Sequence, residues 1–85
     1  MSEECIAEYR EEMEGGADYF CSLLLEDHNG DGQAAYRYAE KNASWEEIPE
    51  IIIGDPDEDP ARAELYHMVA NECKRLFQLR LLGTY

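Results

Sequence analysis

The sequence predicts an all-α protein, a compact bundle of four to five short helices forming a single domain over residues 1–85. Three observations lead there. Apolar residues recur at three- and four-residue spacing in separate segments, the period of a helix with one face inward. Glycine, asparagine and proline pairs punctuate those segments. The one β-branched run, Ile51-Ile52-Ile53, has no second strand-like run to pair with.

The elements follow in order. From Ser2 to Glu14, the residues Ile6, Tyr9 and Met13 form an apolar stripe with Cys5 beside it, and Ser2 is placed as an N-cap. Gly15-Gly16 should end or break that helix. The next helix, 17–26, is apolar almost all round (Phe20, Cys21, Leu23, Leu24, Leu25), the mark of a central and mostly buried element. After the turn HNGDG comes QAAYRYAEKNA, rich in good helix formers and ending near Asn42. Ser44 with Glu47 fits a capping box that would start a short helix at Trp45, with Pro49 placed to shift or kink it. The loop GDPDEDP separates it from the last helix, 60–82, which opens on Pro60. Leu65, Val69, Cys73 and Leu76, with Met68 and Leu79, form its stripe; Glu64 lies early, and Lys74, Arg75 and Arg80 lie late, as the helix dipole prefers. The 17–26 and 60–82 helices should make the core, with Phe20, Leu24, Leu65, Val69 and Leu76 buried.

A chain of 85 residues buries only about 60–65% of the surface its unfolded form exposes, so a deep substrate cavity is not expected. A hydrophobic share of 45% with six tyrosines, two phenylalanines and a tryptophan argues for a folded chain. The formal net charge is −13, against a magnitude of roughly 2–8 that suffices for solubility. It is unevenly placed: residues 1–60 carry eighteen Asp/Glu against three Lys/Arg, whereas residues 61–85 carry two against four. Such a field disfavours nucleic acid and anionic membrane and attracts cationic surfaces. Cys5, Cys21 and Cys73 are odd in number and lack a CxxC spacing, and the N-terminus has neither the basic nor the apolar region of a secretory signal. Reduced, core-packed cysteines in the cytoplasm are the expectation.

EDHNGDG places Asp27, Asn29 and Asp31 as the first three oxygen ligands of a calcium loop, with Gly32 as its turn glycine. The twelfth position, which needs a bidentate Glu, is Tyr38, and Ala35 stands at the ninth. Asn29-Gly30 and Asp31-Gly32 are also turn dipeptides, and Asp31 can cap the helix that follows, so the segment reads as a turn and no cofactor is expected. No serine lies in a nucleophile motif and no glycine pattern cradles phosphate. His67 and Cys73 lack metal-ligand spacing. The sequence therefore points away from catalysis.

What remains is the acid. Glu8, Glu11, Glu12, Glu46, Glu47, Glu50, Asp55, Asp57, Glu58 and Asp59 are the expected partner-binding residues. Duplex DNA carries one phosphate charge per about 1.7 Å of axis, a density that short acidic helices joined by an acidic loop can approach. In size, acidity, a chain starting at Met and lack of catalytic motifs, the chain resembles the small phage-encoded inhibitors of host defence, anti-CRISPR and anti-restriction proteins, several of which mimic DNA. Colicin-nuclease immunity proteins are similar in size and acidity, but their tyrosine pair before a proline is missing here, Tyr36-Arg37-Tyr38 being the nearest approach. The first resemblance implies a host-cell inhibitor whose partner is a basic nucleic-acid-binding protein, such as a CRISPR effector complex, with no direct contact to nucleic acid or membrane. The alternatives are a generic protein-interaction module and a degenerate calcium module.

Overall fold

The computed structural model describes residues 7–54, 57–58 and 60–83. Among them are four α-helices and no strand: α1 Arg10–Asp27, α2 Gly32–Asn42, α3 Glu47–Ile52 and α4 Pro60–Leu82, with a 3-10 turn at Ser44–Glu46 between α2 and α3. The fold is the all-α bundle that the residue pattern predicts. No helix among the described residues is long and apolar enough to cross a membrane.

α4 is the axis, and α1, α2, α3 and the 3-10 turn all pack on it. Tyr66, Val69, Ala70, Cys73, Leu76, Phe77 and Leu81 are its buried positions, an i, i+3, i+4 progression down one face. α1 answers with Met13, Ala17, Cys21 and Leu24, and α2 with Ala35, Tyr36 and Ala39. The expected core members Leu24, Val69 and Leu76 are buried, whereas Phe20 and Leu65 are only partly buried and lie against the core from outside. Among the described residues no charged side chain is buried. Two tyrosine hydroxyls at its edge find partners: Gln78 Nε2 donates to Tyr36 Oη at 2.9 Å, and Tyr66 Oη donates to the Glu46 carbonyl at 3.4 Å.

Three expectations are corrected. Gly15-Gly16 neither ends nor breaks a helix; α1 runs through both. Each interior glycine costs about 1 kcal/mol relative to alanine, but α1 recovers this by burying four side chains on one face. Gly16 also has a packing reason: a Cβ there would stand 3.2 Å from Ile48 Cγ1, so the bare backbone lets α3 sit down on α1. The predicted cap Ser2 lies outside the described residues, and the described helix starts at Arg10. The segment 17–26 is not buried all round, because Tyr19 and Leu23 are exposed on the far side of α1.

The third correction concerns Ser44 and Glu47. Ser44 is not an N-cap: it is the first residue of the 3-10 turn, whose N-cap is Ala43, and Glu46 precedes α3. Ala43 takes a left-handed conformation at φ 49°, ending α2 and turning the chain straight into the 3-10 turn. Pro49 then falls third in α3, inside a first turn whose N–H groups have no intrahelical acceptor, so its missing donor costs nothing. The Ile51-Ile52-Ile53 run is helix ending in a turn.

Candidate functional site

The loop between α1 and α2 is built as a helix-to-helix corner. His28 Nδ1 donates to the Leu24 carbonyl at 2.7 Å, and Gly30 N donates to the Leu25 carbonyl at 2.7 Å, closing the end of α1. Asn29 (φ 57°) and Gly30 (φ 81°) both adopt the left-handed conformation that the Asn-Gly pair favours. Asp31 is the N-cap of α2, its Oδ1 accepting from Gln33 N at 3.1 Å and Ala34 N at 3.2 Å. Tyr38, at the position where a calcium loop needs its closing carboxylate, packs its ring on His28 with 5.5 Å between centroids. Among the described residues no three His, Cys, Asp or Glu side chains converge on a metal position.

Gly32 has a different task from the one its loop position suggests. It sits under the C-terminal turn of α4, where a Cβ would be driven into the Leu81 carbonyl oxygen and stand 2.9 Å from its carbon. The positive end of α2 thus abuts a carbonyl at the negative end of α4.

The acids divide among three places. Glu11 and Glu12 occupy the first turn of α1, with Glu8 exposed just before it. Glu47 and Glu50 occupy the first turn of α3, and Glu46 is half-buried in the turn before it. Asp57 and Glu58 are exposed between α3 and α4, while Asp55 and Asp59 lie outside the described residues. The Gly16–Ile48 contact brings the first two groups toward one another: Glu12 is one turn before Gly16, and Glu47 is next to Ile48. Their positions at helix N-termini contribute about 0.3–1 kcal/mol each to the helices, so part of the pattern serves the fold.

The bases do not neutralise this field. Arg10 pairs with Glu72 at 3.9 Å, Arg75 with the same carboxylate, and Arg80 with Asp18 at 2.5 Å. Lys74 lies 5.4 Å over the Trp45 ring, and Arg62 Nη1 donates to the Ile53 carbonyl at 3.4 Å. Among the described residues, Glu8, Glu11, Glu12, Glu46, Glu47, Glu50 and Glu58 enter no ion pair.

An open groove of about 510 Å³ lies beside these acids. Phe20, Leu23 and Leu24 of α1 form one wall and Tyr38 with Asn42 of α2 another; Asp27, Ser44 and Glu47 complete the rim. Both residues of the expected capping box therefore face this groove instead of closing a helix. The sequence signal for it was present. Phe20, Leu23, Leu24 and Asp27 stand at i, i+3, i+4 and i+7, a second stripe on α1 that makes the helix look apolar all round.

Cys21 and Cys73 are buried free thiols, and Cys5 is outside the described residues. Burial pushes the Cys21 thiol from 9.0 up to about 11 despite Arg80 nearby, and burial together with the Glu72 charge pushes Cys73 up to about 12. The reactive form of cysteine is the thiolate, so the environment at both positions works against nucleophilic use. Both thiols stay protonated in the folded protein where an unfolded cysteine ionises. Their contribution to stability is thus complete below pH 9.0 and is lost as pH rises toward about 11 and about 12. Iodoacetamide at pH 9 is expected to modify Cys21 and Cys73 slowly in the native protein and rapidly in urea, read by peptide mass mapping. Equal rates in both conditions would contradict the buried placement.

No protein-family model, no curated protein and no solved structure matches this chain.

Proposed function

We propose that the protein is a non-enzymatic inhibitor that binds a basic, nucleic-acid-binding surface of a host protein, with a CRISPR effector complex as the foremost target and DNA mimicry or steric block as the mode. The observation that carries this reading is the un-neutralised carboxylate field. The net charge is −13, and the acids of the α1 start, of α3 and its lead-in, and Glu58 stand outside every ion pair among the described residues. A surface evolved to hold phosphates is attracted to such a field, with steered association and a strong dependence on salt. The resemblance to small anti-defence inhibitors in size and acidity supports the same reading.

The test is a set of charge reversals measured against the captured partner. Reversing Glu46, Glu47 and Glu50 to lysine together, or Asp55, Asp57, Glu58 and Asp59 together, should weaken binding by about tenfold or more, whereas each single reversal costs no more than about 1 kcal/mol. Affinity should fall steeply between about 0.1 and 1 M salt, over which the Debye length shrinks from about 10 to about 3 Å. The partner should release its DNA or RNA as this protein binds. A partner that keeps its nucleic acid, with binding indifferent to salt, would sink the proposal.

A second reading has its own observation. The groove gathers the partly exposed side chains Phe20, Leu23 and Tyr38 in one concave surface, which an interaction module could use as anchor points.

A further inference from the structure

The groove and the acidic field meet at shared residues. Leu23 and Tyr38 are 42% and 51% exposed, and with Phe20 they present apolar side chains to solvent from the two walls of the groove. The rim is made of groups that accept hydrogen bonds. Asp27 and Glu47 supply carboxylates from α1 and α3, and Ser44 supplies a hydroxyl. Asn42 spends its Nδ2 on the Tyr38 carbonyl at 2.9 Å, which leaves its Oδ1 as the free end. Among the described residues no lysine or arginine lines the groove; Arg37 and Lys41 of α2 lie outside its lining. Exposed apolar side chains and two carboxylates lining one groove are complementary to a segment that carries both apolar and cationic side chains.

We propose that this groove docks a basic amphipathic segment of the partner, seating an aliphatic side chain on Phe20, Leu23 and Tyr38 while its lysine or arginine heads reach Asp27 and Glu47. The proposal rests on the reading that the partner is basic, and it adds an anchored site to a diffuse field. Field and groove differ in one measurable way. Leu23→Asp adds a negative charge, so a purely electrostatic attraction to a cation is unchanged or strengthened, whereas a groove that needs its apolar side chains is disrupted.

The probe is a fluorescein-labelled amphipathic helix of leucine and lysine, with a glutamine-and-lysine peptide of equal charge as its control, titrated by anisotropy. The leucine peptide should bind about tenfold or more tightly than the glutamine peptide, the scale of one buried anchor. Leu23→Asp should remove most of that difference, and Tyr38→Ala should do so without changing charge. Ile51→Asp adds the same charge at a site 73% exposed and outside the groove, and should leave binding intact. Helix content by circular dichroism verifies that each variant is folded. Equal binding of the two peptides, or no loss from Leu23→Asp and Tyr38→Ala, overturns the groove while the charge-driven reading stands. Failure of both peptides to bind at low salt overturns both.

Discussion

Truncating Phe77 to alanine is expected to remove about 3–5 kcal/mol of stability, the range for a fully buried aromatic. Among the described residues Phe77 is the largest fully buried side chain, and it lies on the buried face of α4, the helix on which α1, α2 and the 3-10 turn pack. The Trp45 and Phe77 rings meet edge-to-face at 6.1 Å between centroids, and Tyr36 stacks on Trp45 at 6.1 Å. Removing the phenyl ring leaves a hole in the shared core cluster, and neighbours held by separate helices do not readily collapse into it together. A domain of 85 residues has roughly 4–13 kcal/mol in total at about 0.05–0.15 kcal/mol per residue, so the variant should be marginal or unfolded. Urea unfolding followed by Trp45 emission reads this directly. Leu82→Ala, at a position 37% exposed, should shift the midpoint little. A Phe77→Ala loss below about 1 kcal/mol is outside what a full cavity at that site allows.

Gly32→Ala is the second large effect, expected at about 1–3 kcal/mol or more because overpacking here meets backbone. The added methyl would collide with the Leu81 carbonyl oxygen, and a carbonyl within a helix cannot rotate away as a flexible side chain does. Either α2 or the end of α4 has to move. Gly15→Ala is the internal comparison: it lies exposed in the middle of α1 with nothing within 4 Å of a new Cβ, and should be neutral or stabilising by up to about 1 kcal/mol. The pair separates a steric cost from a backbone one. Added calcium is expected to leave the unfolding midpoints of wild type and Gly32→Ala unchanged. In the calcium-loop reading, calcium would instead raise the wild-type midpoint.

The acidic site was legible as residue types and illegible as a place. Twenty acids against seven bases are a fact of composition, and the attraction to a cationic surface follows from Coulomb's law without any coordinates. Which acids remain unpaired does not follow. Arg80 reaches Asp18 across 62 positions, and Glu72 draws in both Arg10 and Arg75. The Arg80–Asp18 and Arg10–Glu72 pairs take bases from the acidic field and depend on how α1 lies along α4, whereas Arg75 and Glu72 meet three residues apart within α4. The groove was less legible still, since it requires Tyr38 of α2 to stand opposite Leu23 of α1.

Local chemistry explains the elements that the sequence determined by itself. α2 and α4 fall where they were expected because each start is set by residues beside it: Asp31 by accepting two N–H bonds, Pro60 by its fixed φ. The corner at Asn29-Gly30 is equally local, since only a few residue types tolerate its positive φ. Tertiary structure decided the rest. Gly15-Gly16 carries a helix-breaking propensity of about 2 kcal/mol in total, and α1 nevertheless continues because Met13, Ala17, Cys21 and Leu24 are buried together only if it does. Ser44 and Glu47 match a capping box in sequence, yet Ala43 turns the chain before the cap can form. Phe77 shares the stripe of Cys73, but its place at the centre depends on Trp45 arriving from another element. A cap or a turn is fixed by neighbours within a few residues. A continuous helix, a core centre and a groove are fixed by burial shared between segments far apart in the chain, which no local preference encodes.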